Sequence, residues 1–201
     1  MILRGDLHPG ARLVELDIAT QMGTSQGPVR EALHRLERDG LVERRSRVGT
    51  FVTPMMLDEM RELFEVRSMI EQFAIRRAIT RISAEQIDEL EGHVQRMRAA
   101  GTANDMIAVV DCDMEFHRCI CTWAEQSTLL RAWLPLFMQV QRFIVQVHPH
   151  YYPDLTEMAD AHQPILDALR SNSVELAEHA IGSHIMSIWS RMPVSQQPLD
   201  A

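Results

Sequence analysis

Apolar and polar positions along the first fifty residues change period once, and each period predicts its own elements. In "ARLVELDIATQMG", Leu13, Leu16 and Ala19 recur at helical spacing until Gly23 ends the run. The next stretch, "TSQGPVREALHRLERDG", offers Ser25 as an N-cap and Pro28 near the first turn. Its apolar stripe of Val29, Ala32, Leu33 and Leu36 stops at Gly40. Two helices joined by the very short seam Gly23 to Ser25 predict a helix-turn-helix. Past Gly40 the period shortens to two: "LVERR" and "GTFVT" are strand candidates and "SRVG" turns between them, which predicts a hairpin of the wing type.

From Met55 onward every pattern is helical. "MLDEMRELFEVRSMIEQFAIRRAITR" repeats Leu57, Met60, Leu63, Phe64, Ile70 and Ala74, and "SAEQIDELEGHVQRMRAAG" opens with the capping box Ser83 and Gln86. Further helical segments fall at 103–122, 126–147, 155–171 and 173–190, with Pro135 a kink or late start and Pro149 and Pro153 a break. No fixed-period repeat is visible, so about six helices predict a bundle rather than a solenoid. The expected architecture is mainly α: a winged helix-turn-helix over residues 1–54, an all-helical domain over 55–192 and a flexible tail over 193–201.

Composition narrows the class. A hydrophobic fraction of 46% suits a globular chain, and no apolar run is long enough to span a membrane. The start "MILRGDLHPG" lacks the features of a secretory signal, so a cytoplasmic protein is expected. Cys112, Cys119 and Cys121 form no CxxC pair or disulfide framework and are expected in the core. Residues 1–54 carry eight arginines against seven acidic residues, whereas the rest carries twelve against twenty-one. An acidic whole disfavours nonspecific nucleic-acid binding, yet the first quarter can present its arginines on one side. Arg30, Arg35 and Arg38 stud the second helix, and Arg44, Arg45 and Arg47 crowd the hairpin.

The chemistry sits in "DCDMEFHRCI". Asp113 and His117 differ by about 40° of helical rotation and face one way, beside Phe116 and Ile120. They are either a buried hydrogen-bonded pair or half of a metal site. His162 and His184 occur in equally apolar company, near Met158, Ile165 and Leu169 and near Ile181, Ile185 and Ile188 respectively. Three imidazoles and a carboxylate form a mixed set suited to zinc, nickel, iron or manganese; the plainer alternative is core histidines bonded to backbone carbonyls. His8, His34, His93, His148, His150 and His179 are expected in solvent-facing or cap roles. Arg67 shares an apolar stripe with Phe64 and Ile70, where Glu71 one turn on can pair with it, and Arg142 shares a face with Met138 and Val145. Either guanidinium is a candidate partner for the carboxylate of a small organic acid.

Residues 3–53 resemble the winged-helix domain of GntR-family transcription regulators through Pro9-Gly10, Leu13-Val14-Glu15, the "PVREAL" stretch at Pro28 to Leu33 and "DGLVERR…GTFV". Residues 56–190 are similar to the all-helical FCD effector domain of the FadR subfamily. The resemblance implies a non-enzymatic homodimer on a palindromic operator, repressing nearby genes until a small carboxylate-containing metabolite binds. It also implies DNA contacts at Ser25, Gln26, Arg30 and the wing around Arg47 to Gly49, and a divalent cation, zinc first, on Asp113, His117, His162 and His184; the arginine pattern adds Arg35 and Arg45 on the DNA side and leaves Arg67 and Arg142 as the effector-binding candidates. Gln26 stands where many members carry arginine, which bears on operator preference. Family members usually have a helix before the residues matching Arg4-Gly5-Asp6, and that helix is expected to be absent or truncated in the sequence given. The alternatives are a metal-dependent enzyme acting on a small carboxylic acid and a constitutive DNA-binding protein with a structural metal.

Overall fold

The computed structural model describes residues 1–193, so the end of the expected tail, 194–201, lies outside the described residues. The chain opens with strand β1 (Arg12–Leu13), followed by helices α1 (Glu15–Gln21) and α2 (Gln26–Arg38) and the hairpin β2 (Val42–Arg45) and β3 (Gly49–Val52). The three strands form one antiparallel sheet in the order β1-β3-β2. The wing is therefore as expected, but Leu13 belongs to a strand rather than to the first helix. It pairs with Thr50, and Leu16, free of that role, is exposed. β1 is only two residues long, too short to show a period of its own, so Leu13 reads with Leu16 three residues on as if in one helix. Gly23, at φ +61°, ends α1 in the left-handed conformation that lets the chain turn directly into α2. Leu13, Ala19, Val29, Leu33, Leu41, Val42 and Val52 close a small core of their own.

The remaining described residues form α3 (Leu57–Ala78), α4 (Ala84–Thr102), α5 (Met106–Trp123), α6 (Ser127–Val147), a 3₁₀ turn at His148–His150, α7 (Thr156–Asp160), α8 (Gln163–Arg170) and α9 (Val174–Arg191). Ser83 caps α4 with the reciprocal bonds to Gln86 that the sequence predicts. α6 runs through Pro135 unbroken and ends at Val147, and Pro149 lies within the 3₁₀ turn that follows.

The one segment expected over 155–171 divides into α7 and α8. Pro164 has no N–H to continue the ladder of α7, so the helix stops and restarts. His162 lands at that break, as N-cap of α8, instead of on a helical face. A second core fills the bundle, centred on Phe64, Phe143 and Trp189, whose rings meet at 5.0 to 5.8 Å. α4 approaches the start of α7 at Gly101, where an added Cβ would lie 2.9 Å from the backbone of Leu155 and Thr156.

Candidate metal centre

α5 buries Val109, Val110, Met114, Phe116 and Ile120, and the same helix turns Asp113 and His117 inward. α9 brings His184 to them, and the α7 to α8 break brings His162. One ligand atom from each of these four residues lies within 4.8 Å of the other three. The sequence-predicted pair is not bonded to itself: His117 turns to Glu71, and Asp113 to His162.

Hydrogen bonding shows whether this set suits a cation. His117 Nδ1 donates to Glu71, His162 Nδ1 to the Met158 carbonyl at 2.8 Å, and His184 Nδ1 to the Ala161 carbonyl at 3.2 Å. An acceptor on each Nδ1 assigns the proton there and leaves each Nε2 as a lone pair. The Nε2 atoms of His117 and His184 face one another at 3.2 Å, and His162 Nε2 lies 3.3 Å from Asp113 Oδ1. Ligand bonds of about 2.0–2.1 Å at a tetrahedral angle separate two ligand atoms by about 3.3 Å. Asp113 Oδ2 and His162 Nε2 are buried without a hydrogen-bond partner. Lone pairs opposed at this spacing beside an unsatisfied carboxylate oxygen repel unless a cation or a proton lies between them, so the donor set fits a divalent metal.

Glu71 organises the outer layer, a role the sequence reading reached only as a partner for Arg67. Its carboxylate accepts from Arg67 Nε at 2.7 Å, from Trp133 Nε1 at 2.8 Å and from His117. Burial alone would raise its pKa, but Arg67 and His117 outweigh burial and hold it down at about 2. Asp113 is likewise opposed by burial yet held well below the usual carboxylate range by His162, His117 and Arg67.

Beside the four ligands lies a cavity of about 20 Å³ lined by Arg67, Asp113, His148, Tyr152, His184 and Ser187, among others. Arg67 is buried and its Nη2 has no partner. His148 departs from expectation. It is buried, stacked on Tyr152 at 5.2 Å and edge-on to Phe143, with both ring nitrogens unpartnered. Burial pushes its pKa down to about 3, so the ring is neutral. Its flanking His148-Pro149-His150 sequence suggested a loop, and that signal concealed a ring anchored by aromatic neighbours 143 and 152. Arg142 does not line the cavity. Its Nη1 donates to the Thr53 carbonyl at 2.9 Å, and its Nε and Nη2 are buried without partners.

At the other end of the molecule Ser25, Gln26, Arg30 and Arg35 are exposed along α2, and Arg45 and Arg47 are exposed on the hairpin beside the half-buried Gly49. Arg30 is steadied by a forked bond to Glu15, 2.8 Å at its shortest, and Arg45 lies over the Phe51 ring at 4.7 Å. Arg47 occupies the hairpin tip at φ +62°. No helix among the described residues is long and apolar enough to cross a membrane.

Comparison with known proteins joins these two ends. Residues 1–52 match the model of the bacterial regulatory proteins of the gntR family, and residues 62–187 match the FCD domain. A relative from Paenarthrobacter nicotinovorans, described as a "probable D-xylose utilization operon transcriptional repressor", is 34% identical over 200 residues, covering 100% of this chain and 87% of its own. The transcriptional repressor RspR of Escherichia coli strain K12 is 26% identical over 192 residues, 93% of this chain and 84% of that one. Among solved structures, E. coli McbR/YncC superposes with a TM-score of 0.79 at 22% identity, covering 94% of this chain and 90% of that one. Lar of Listeria monocytogenes gives 0.66 at 21%, covering 93% and 88%. A winged helix-turn-helix followed by a helical bundle, matched along nearly its whole length, makes this chain a member of the GntR family of transcription regulators with an FCD domain.

Proposed function

We propose that the chain is a metabolite-responsive repressor of the FadR subfamily that binds a palindromic operator as a homodimer and releases it when a small organic acid enters the cavity beside a bound divalent cation. One observation carries this reading: Asp113, His117, His162 and His184 converge within 4.8 Å next to a cavity lined by Arg67 and His148, both of which carry buried, unpartnered polar atoms. A cation held there, zinc first, supplies an electrophilic anchor for an oxygen of the ligand. Arg67 Nη2 donates to the ligand's carboxylate, and neutral His148 accepts from or donates to a hydroxyl. Of the two arginines picked out from the sequence, Arg67 is the direct contact. Arg142 acts at the junction between the bundle and the head.

Size decides that binding must move the protein. A cavity of about 20 Å³ holds a single water, which needs about 10–15 Å³ in the same measure. An acid of several heavy atoms therefore displaces the walls, formed by α3, α5, α6, α7, α9 and the turn at His148 to Tyr152. Converting a mostly competent population into a mostly released one takes about 5.5 kcal/mol of differential affinity. On the DNA side, α2 lies in the major groove with Ser25, Gln26 and Arg30 at base edges and phosphates and Arg35 on the backbone. The wing offers Arg45, Arg47 and the close approach at Gly49. The helical domain holds the two heads at half-site spacing.

The test uses the full-length chain. An operator is selected from random duplexes, and its affinity is measured against a panel of small acids, sugar acids and D-xylose, with metal content read by elemental analysis. Metal bound in the wild type and reduced in His162→Ala, together with an acid that weakens operator binding, supports the proposal. Undiminished metal in His162→Ala removes that residue from the ligand set. Metal bound, with no member of the panel altering operator affinity, leaves the cation a structural role.

A further inference from the structure

A second mixed donor set lies on the other side of α5. Glu89 and His93 are one turn apart on α4 and face Cys119 on α5, and one ligand atom of each lies within 4.8 Å of the other two. Cys119 Sγ is 3.8 Å from Glu89 Oε1 and 3.9 Å from His93 Nε2. Both separations are long for a thiol hydrogen bond, and a single S–H can serve only one acceptor at a time. They lie close to the spacing of metal ligands: bonds of about 2.3 Å to sulfur and about 2.0–2.1 Å to nitrogen or oxygen at a tetrahedral angle put the two atoms about 3.6 Å apart. His93 is half-buried and its Nδ1 has no partner, so its imidazole is committed to no other role. Position 119 is two residues from His117, about 200° around the helix, so the two donor sets share α5 but no ligand.

We propose that Glu89, His93 and Cys119 form a second site for a thiophilic divalent cation of the zinc class, distinct from the four-ligand centre. Thiolate and carboxylate supply the two negative charges such a cation requires, the thiol proton passing to solvent on binding. The surrounding charge is balanced: Glu115 bonds Arg118, and Arg96 is the further cation near His93. Glu89 is exposed, so the fourth position opens to solvent, as in sites that exchange metal or ligand. No acceptor fixes His93 Nδ1, unlike the imidazoles of the first centre, and the second site accordingly binds more weakly. Occupancy ties α4 to α5, the helix that supplies Asp113 and His117, so the two sites influence one another reciprocally.

Cobalt(II) tests this on the full-length chain, because a thiolate ligand gives an intense near-ultraviolet sulfur-to-cobalt band that the oxygen and nitrogen ligands of the first centre cannot produce. The expected result is that band in the wild type at saturating cobalt and its loss in Cys119→Ser, with cobalt retained at the four-ligand centre. His93→Gln, at a half-buried position, loses the band too and serves if Cys119→Ser folds poorly. His162→Ala keeps the band, so failure of the first centre and failure of the second are read separately. Absence of the band in the wild type, or its persistence in Cys119→Ser, overturns the proposal.

Discussion

Single side chains at the candidate centre are controlled by what lies behind them. Glu71 fixes His117 through Nδ1, and partners of this kind shift metal affinity about 10- to 100-fold when removed. Glu71→Gln is expected to lower affinity by that much in competition with a chromophoric chelator, even though no ligand atom is deleted; unchanged affinity would mean that packing alone orients His117. His148 gives a pH signature. Its pKa is about 3 in the fold and about 6.5 in an unfolded chain, so above pH 6.5 the ring is neutral in both states and contributes nothing to the pH dependence. As pH falls from about 6.5 to about 3, the unfolded chain takes up a proton that the folded one refuses, and stability drops by up to about 1.4 kcal/mol per pH unit. His148→Phe keeps an aromatic ring against Phe143 and Tyr152 and removes this titration. Urea unfolding of the metal-free variant between pH 6 and 4 should show a shallower loss than the wild type, and parallel slopes would place the His148 proton uptake elsewhere.

Elements are where close approach outweighs propensity. In an ordinary helix Gly→Ala gains about 1 kcal/mol. At Gly101 the new methyl would lie 2.9 Å from the Leu155 and Thr156 backbone, and forcing such an overlap costs about 1–3 kcal/mol. Gly101→Ala should therefore destabilise the protein in urea titration and weaken metal binding by displacing α7 and, with it, His162. A stabilised variant would show that α4 and α7 separate freely. The same region shows what the sequence does and does not disclose. Capping chemistry at Ser83 and Gln86, alternation in the wing, and the inward facing of Asp113 and His117 are local, and each is legible from residues one turn or one strand apart. That the residue 45 positions beyond His117 should reach it from a break before Pro164, or that Glu71 should bridge Arg67, Trp133 and His117, depends on packing between helices distant in sequence. Burial of His148 is hidden differently, since Pro149 and His150 mask the aromatic rings of Phe143 and Tyr152 within five residues of it.

Across the whole molecule, α6 is one of the elements that touch both ends. Its Ile144 lines the cavity, its Trp133 bonds Glu71, and the turn that follows it supplies His148. Along the same helix Met138 packs on the core of the head, Gln146 donates to the Ile2 carbonyl at 2.7 Å, and Arg142 holds the Thr53 carbonyl where the head joins the bundle. A ligand that enlarges the cavity by shifting α6 therefore moves the seat of the DNA-binding head directly, without a chain of intermediates. Arg142 is costly at that junction: burial lowers its pKa, and two of its nitrogens have no partner. Arg142→Met retains the aliphatic packing and removes both the buried charge and the bond to Thr53, so stability should be unchanged or higher. If the junction transmits the shift, operator affinity without ligand should persist while the weakening caused by a releasing acid shrinks toward none. Titration of operator with and without that acid, on wild type and variant in parallel, measures the ratio; an unaltered ratio would assign the coupling to the seat at Met138 and Gln146 rather than to the bond at Thr53.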